Sequence, residues 1–372
     1  EIVVNPGTAR EIRTTTEYYN PADPDFASVK YDVGKVTGAN ISIRLSDEFL
    51  SAVDAGTDFE QRWPVDSKTP KITKRIDARR AWKKIVQSAW QMAEPGLLFW
   101  DNILRESPAD CYAKQGFKTI STNPCGEIPL SAYDSCRLLL LNLFGFVKNP
   151  FTKDAYFDYK DFYETAQIAQ RLMDDLIDLE VEAIEGIINK IKNDPESKDI
   201  KIRELQLWQN ILNACLKGRR TGTGITSLGD ALAALGVAYG SNYGIATTET
   251  IYRTLKFGAY RASVDMAKEL GAFEVWDHEL EKDNPFLNRI KDEFILLNDD
   301  KSTEKEPLLR VTKVLGREIW DDMKKYGRRN IALLTTAPAG TVSIESQTSS
   351  GIEPQFMIDP YTRRKKGTPG DR

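Results

Sequence analysis

Residues 123–127 read Asn123-Pro124-Cys125-Gly126-Glu127, and a second cysteine, Cys136, follows eleven positions after the first. The stretch sets a carboxamide, a thiol and a carboxylate at alternate positions. Pro124 fixes φ and Gly126 permits a tight turn, so the three side chains are expected to converge from the tip of one loop. A thiol flanked by a hydrogen-bonding amide and an acid suits chemistry on a diol. On spacing alone, a polar turn beside a buried structural cysteine reads equally well.

Outward from that loop the chain alternates strand and helix. Lys118–Thr122 reads as a strand entering the loop and Leu138–Val147 as a buried strand leaving it. Ile41–Leu45 alternates as a strand does, and Ser46 then caps a short helix opened by Asp47 and Glu48. Asp77 caps a helix over 77–93 whose Trp82, Ile85, Val86, Ala89 and Trp90 share one face. A long helix over 158–193 carries Phe162, Ala166, Ala169, Leu172, Met173 and Leu176 in register. Others read at 199–216, 226–236, 247–269 (capped by Thr247 or Thr248) and 311–326. Lys301–Lys305 reads as a solvated loop, and Ile331–Thr336 has strand character. The pattern predicts an α/β fold.

The bulk numbers exclude more than they assert. A chain of 372 residues is ample for a large core, as two domains or one large α/β domain. No apolar run approaches a membrane span, and Glu1-Ile2-Val3-Val4 has no secretory character, so a cytoplasmic location and no membrane partner are expected. Without an initial Met the chain reads as a fragment or a processed product. A net charge of −4 leaves no basic footprint for polymeric nucleic acid, whereas a mononucleotide needs only a local anion pocket. Four cysteines are too few for a disulfide scaffold. With His278 as the single histidine and no C-x-x-C pair, no metal site is expected and Cys-His or Ser-His arrangements are excluded. Whatever Cys125 does, it does without an imidazole base. Cys111 and Cys215 read as packing thiols and His278 as a surface-helix residue.

Several stretches, in order, resemble the ribonucleotide reductases. Asn123–Glu127 with Cys136 resembles their active-site finger loop. Ala337-Pro338-Ala339-Gly340-Thr341-Val342-Ser343, running on to Ser349-Ser350-Gly351-Ile352-Glu353-Pro354, resembles their substrate-phosphate loop. Lys35–Leu45, Pro95–Asn102 and Gly218–Leu232 add to the likeness, which runs from roughly residue 23 to 363. The coenzyme-B12-dependent (class II) branch is the one most resembled. The resemblance implies an α/β fold that is part of a ten-stranded α/β barrel, with the finger loop threaded through its centre. Residues 1–372 would be the central portion of that catalytic barrel, with the N-terminal part carrying the first redox cysteine and the C-terminal part lying outside the chain.

The resemblance also implies roles. Cys125 would carry a thiyl radical that abstracts the 3′-hydrogen, after which the 2′-hydroxyl is lost as water. Glu127 would take the 3′-hydroxyl proton, Asn123 would hydrogen-bond the ribose hydroxyls, and Cys136 would be half of the reducing dithiol. Ser121 and the run Pro338, Ala339, Gly340, Thr341, Val342 and Ser343 would bind substrate. A strand followed by a Gly turn with flanking hydroxyls suits phosphate without a lysine, and it is not a Walker A loop. Lys35, Val36, Thr37, Gly38 and Asn40 fall where the family senses a dNTP effector. Adenosylcobalamin and a dithiol reductant such as thioredoxin are the implied cofactors, and a homodimer or a complementing chain the implied assembly.

Three departures qualify the match. No cysteine precedes Cys111, so the partner of Cys136 is missing from this chain. Arg137-Leu138-Leu139 replace the family's usual Asn-Leu-Gly. Ala339 stands where the branch usually has Thr. Two other readings stay open: a class I large subunit that receives its radical from a metal-containing partner, and a non-catalytic piece of a split reductase active only when assembled. With only Cys136 of the dithiol present, the isolated chain is expected not to turn over, even with adenosylcobalamin and reductant supplied. Gly222-Thr223-Gly224-Ile225-Thr226-Ser227 is no dinucleotide fingerprint, because it follows a helix, and Arg219–Leu232 reads as a structural turn-helix.

Overall fold

Alternating strands and helices are what the described residues (2–6, 39–65, 67–135, 137–296 and 307–354) form in the computed structural model. The chain divides into two units. One comprises Glu1–Cys136, Ala183–Gly218 and Phe273–Leu296; the other comprises Arg137–Glu182, Arg219–Ala272 and Leu297–Arg372.

In the first unit, β1 (Ile2–Pro6) runs antiparallel to β2 (Ala39–Leu45). Ser46 accepts from Phe49 N at 3.1 Å and opens α1 (Asp47–Ala55), with Asp47 and Glu48 in the first turn as expected. A hairpin that the periodicity does not announce follows, β3 (Asp58–Trp63) against β4 (Ile72–Asp77). Asp77 caps α2 (Ala78–Met92) through Arg80 N. Next, β5 (Gly96–Phe99) lies parallel to β2 and leads into α3 (Trp100–Glu106). Leu45, Phe49 and Ala78 are buried together, with Phe59, Trp82, Ile85 and Leu97 packed on them. The expected apolar face of α2 is only half used. Its contact stripe is narrow and centred on Trp82 and Ile85, so Val86 and Trp90 fall outside it and are exposed.

A two-rung hairpin, β6 (Ser121–Thr122) with β7 (Pro129–Leu130), closes this part of the chain. The strand expected from Lys118 begins only at Ser121. Asp110 explains the delay, since its carboxylate takes both Thr119 N and Thr119 Oγ1, at 2.9 and 2.5 Å.

The second unit starts with β8 (Leu139–Asn142), less than half the length of the expected Leu138–Val147 strand. Asn142 ends it: Oδ1 accepts from Phe144 N at 3.1 Å and from Ser227 Oγ at 2.6 Å, which winds Leu143–Phe146 into a 3-10 turn. β9 (Val147–Lys148) pairs with β10 (Tyr156–Phe157). The long α4 (Tyr159–Asn193) buries Phe162, Ala166, Ala169 and Met173, whereas Leu172 and Leu176 are exposed. Their places on the buried face are taken by Gln170 and Asp174.

After α5 (Lys198–Gly218), Arg219–Leu232 corrects the turn-helix expectation. Its first half is a strand, β11 (Thr223–Thr226), before α6 (Leu228–Ala234). β11 lies parallel to β8 and, on its other edge, bonds residues 331–336: Thr223 N donates to Leu333 O (2.8 Å) and Thr335 N to Thr223 O (3.1 Å). Helix α7 (Asn242–Leu270) starts earlier than expected. Ser241 caps it through Gly244 N, while Thr247 and Thr248 sit inside and bond back to Tyr243 O and Gly244 O. The remaining helices are α8 (His278–Glu281) and α9 (Pro285–Leu296) in the first unit, then α10 (Pro307–Tyr326) and α11 (Thr341–Glu345) in the second. Leu141, Phe162, Ile225, Leu232, Ile251 and Leu255 belong to the second unit's buried cluster.

Among the described residues the strands make one three-stranded sheet and four pairs, without a closed barrel. No described helix is long and apolar enough to cross a membrane. The Lys301–Lys305 segment lies outside the described residues.

The three-stranded parallel arrangement around β11 depends on bare backbone. A Cβ on Gly224 would stand 2.3 Å from Thr335 O, and one on Gly222 would stand 2.5 Å from Arg137 O. Gly224→Ala is therefore expected to destabilise the protein by about 1–3 kcal/mol, the range for overpacking. The measurement is the urea midpoint, and an unchanged midpoint would show that the three stretches are not so closely apposed.

Candidate functional site

The finger hairpin belongs to the first unit and is built from its arms inward. Asp110 holds Thr119, and Arg44, stacked 3.8 Å over the Trp100 ring, donates to Ile120 O. Ile120 N donates to Leu130 O at 2.9 Å, and Asn123 N to Ile128 O at 3.3 Å. The tip is a four-residue turn closed by Gly126 N donating to Asn123 O at 3.0 Å, with Pro124 in second place. Gly126 has φ 85, which a side chain would disfavour.

This turn gathers Asn123, Cys125 and Glu127 into five residues. Asn123 is buried, and its Oδ1 accepts Ile128 N at 3.0 Å. Its carboxamide oxygen is thus a clamp of the hairpin, and the NH2 side is what it can offer a ligand. Cys125 is exposed at the tip. Glu127 is half-buried, with Oε2 shielded from solvent. Partial burial, and then the neighbouring Glu127 carboxylate, push the Cys125 thiol above its ordinary range. The tip therefore presents a thiol that keeps its hydrogen at neutral pH, beside a carboxylate. Ser121 sits on β6 opposite Leu130, with its hydroxyl turned to Thr122 O.

The second candidate loop belongs to the second unit. Residues 331–336, fixed on β11, run into Ala337 and Pro338. Gly340, at φ 53 and ψ −120, then turns the chain into α11. Val342 N donates to Ala339 O (3.2 Å), and the buried Ser343 donates its hydroxyl to Gly340 O (2.7 Å). The chain returns through Thr348–Gly351, where Ala339 N donates to Ser350 O at 2.7 Å and Thr348 N to Ser343 O at 3.0 Å. Thr341 and Val342 stand exposed on the outer side of this turn, between its two anchored ends.

Residues 18–369 match the family described as the ribonucleotide reductase barrel domain. The chain belongs to that family. A vitamin B12-dependent ribonucleoside-diphosphate reductase of Thermoplasma acidophilum is 29% identical over 342 residues, covering 92% of this chain and 35% of that protein. One of Mycobacterium tuberculosis is 27% identical over 340 residues, covering 91% of the chain and 38% of that protein. The chain thus spans about a third of the length of these curated relatives. Among solved structures, the class Id ribonucleotide reductase alpha subunit of Actinobacillus ureae superposes with a TM-score of 0.50 at 20% identity, covering 84% of this chain and 43% of that one. Family and superposition together assign the reductase barrel class that the sequence leads one to expect.

The other expected positions of the reductase barrel divide unevenly. Cys136, Lys35, Val36, Thr37 and Gly38 lie outside the described residues, and Asn40 is an exposed residue of β2, opposite Asn5. Cys215 is buried, and Cys111 is half-buried with its thiol on Pro108 O. His278 opens α8 beside Glu279. Sequence reasoning missed Asp110 and Arg44, which hold the hairpin arms, and Asp230, which holds the second loop through Ser349 N at 2.6 Å. No local motif marks them, because each acts on residues distant in sequence.

The thiol's state is measurable. Alkylation of Cys125 by iodoacetamide, followed peptide by peptide across pH, is expected to show a midpoint above the ordinary cysteine value of about 8.5. Glu127→Gln removes a negative charge that opposes the thiolate, so its midpoint should fall. A midpoint that rises or stays would separate the two residues.

Proposed function

We propose that this chain is the central catalytic portion of a ribonucleotide reductase that acts on ribonucleoside diphosphates. The observation that carries the reading is the hairpin tip, where an exposed thiol, kept protonated, stands between a clamped amide and a carboxylate. A nucleophilic cysteine needs the opposite, a lowered pKa and a partner base. A raised thiol pKa beside a carboxylate supports the role of a thiol that gives up and regains a hydrogen atom.

In this reading Cys125, as a thiyl radical, takes the hydrogen of ribose C3′, so an S–H bond forms as the C3′–H bond breaks. Glu127 accepts the 3′-hydroxyl proton, and the NH2 of Asn123 orients the ribose hydroxyls. The 2′-hydroxyl leaves as water after gaining a proton from a dithiol. That dithiol, to which Cys136 contributes one sulfur, gives its other hydrogen to C2′, so that a C2′–H bond replaces the broken C2′–O bond. It supplies two electrons in all and becomes a disulfide, while Glu127 returns its proton to the 3′-oxygen. Cys125 then returns its hydrogen to C3′ and is again a radical. Pro338–Ser343 hold the substrate phosphates, with Ser121 at the sugar end.

The names of the relatives point to adenosylcobalamin as the radical source, and a sulfur exposed at a loop tip is open to such a group. When bound, that cofactor supplies the radical that removes the thiol hydrogen. Among the described residues no three His, Cys, Asp or Glu converge, so none is assigned to holding it. A thioredoxin-like reductant, a dNTP effector bound near Lys35–Asn40, assembly as a homodimer or with a complementing chain, and a cytoplasmic location complete the proposal.

Deoxyribonucleotide formation by this chain assembled with the portions that supply the second redox cysteine, given adenosylcobalamin and dithiothreitol, tests the reading, and the chain by itself is expected to form none. Cys125→Ser is expected to abolish product and 3′-hydrogen exchange alike. Cys136→Ser should stop dithiol-driven turnover while exchange persists. Product from Cys125→Ser would sink the assignment. Gly340→Val meets no neighbour within 4 Å but strains a positive φ, and is expected to weaken diphosphate binding about tenfold. Unchanged affinity would place the phosphates elsewhere.

A further inference from the structure

Two carboxylates lie behind the Pro338–Ser343 turn, and neither belongs to the chemistry proposed above. Glu353 folds back on the return strap: its Oε1 accepts Ser350 N at 2.6 Å and Ser350 Oγ at 2.8 Å. Asp230, in the first turn of α6, accepts Ser349 N at 2.6 Å through Oδ2. Thr226 Oγ1 donates to Ser349 O at 2.7 Å, and Leu228 N to Gly351 O at 3.1 Å. The strap they fix carries both ends of the turn, through Ala339 N on Ser350 O and Thr348 N on Ser343 O. A Cβ on Gly351 would stand 3.3 Å from Glu353 Oε2, so the absence of a side chain there gives the carboxylate room to swing back.

We infer that Glu353 and Asp230 are positioning residues for substrate phosphate: they set the Ser349–Ser350 strap, and the strap sets the 339–343 turn. This rests on the reading of Pro338–Ser343 as the phosphate loop. Their action is geometric, through accepted N–H and O–H bonds, and their charge is not itself used.

Calorimetric titration of the protein with CDP, and with cytidine as the unphosphorylated control, tests this. Glu353→Ala should weaken CDP about tenfold, the size of one hydrogen bond to a charged acceptor, and leave cytidine unchanged. Glu353→Gln keeps an oxygen that can accept both bonds, so CDP should bind within about twofold of the wild type. Ser350→Ala removes the hydroxyl bond alone and should weaken CDP by roughly two- to threefold. Wild-type CDP affinity in Glu353→Ala overturns the inference, as does an equal loss for CDP and cytidine without rescue by Glu353→Gln. Should Glu353→Ala fail to fold, Ser350→Ala decides, and unchanged CDP affinity refutes it. If Gly340→Val also leaves CDP untouched, the phosphate-loop reading itself has failed. If Gly340→Val weakens CDP while the strap variants do not, only this inference falls.

Discussion

The second unit depends on one buried charge. Asp174 is 1% exposed and accepts from Arg219 Nε and Nη2 (2.8 and 2.9 Å), Arg329 Nε (3.2 Å) and Asn330 Nδ2 (2.8 Å). Burying a carboxylate is tolerable only when its oxygens are matched in this way. Arg219 sits at φ 47, a conformation that disfavours a non-glycine residue by about 1–3 kcal/mol, and its two-pronged bond to Asp174 holds it there. Asn330 Oδ1 accepts from Gln170 and Ser263, and Gln170 joins Thr221 and Thr223. Helix α4 thereby grips β11 and the 330–335 segment together. The turn into α6 and the Pro338–Ser343 loop both start from that fixed arrangement.

The hairpin of the first unit solves a different problem, which is to keep a hydrogen on sulfur within reach of a carboxylate. Partial burial opposes thiolate formation, and an acid two residues away opposes it further. The same acid is a poor feature for a nucleophile, and in the proposed hydrogen-atom transfer it would serve the substrate proton instead of the thiol proton. Asn123 shows how economically the loop is made. Its oxygen closes the hairpin on Ile128 N, so the side chain that would orient a ribose also fixes the backbone that carries Cys125.

What was legible in the sequence was contiguous. Asn123–Glu127 carries its own turn chemistry, and the caps Ser46 and Asp77 act within three residues of themselves. What was not legible depends on partners distant along the chain. Asn142 cuts a strand short because Ser227 reaches it, and Gly224 is required because Thr335 O passes beside it. Leu172 and Leu176 fit the helical period, yet the polar Gln170 and Asp174 take the buried face, since their donors and acceptors come from β11 and residue 330. Thr247 and Thr248 fit the cap pattern by sequence, but their hydroxyls bond back inside the helix, and Ser241 caps it instead.

Acids behind a loop proposed to hold phosphate run against simple electrostatics, since like charges repel even through a screened medium. Amides in their place would avoid that repulsion and could still accept through their oxygen, but an amide can also turn its donor to the same spot. A carboxylate only accepts, so Ser349 N and both donors of Ser350 have one possible orientation each. Asp230 further offsets its charge against the first turn of α6. Rigidity of the strap is thus gained at the cost of some Coulombic repulsion, an exchange that would favour a loop proposed to hold its backbone N–H groups ready for an anion.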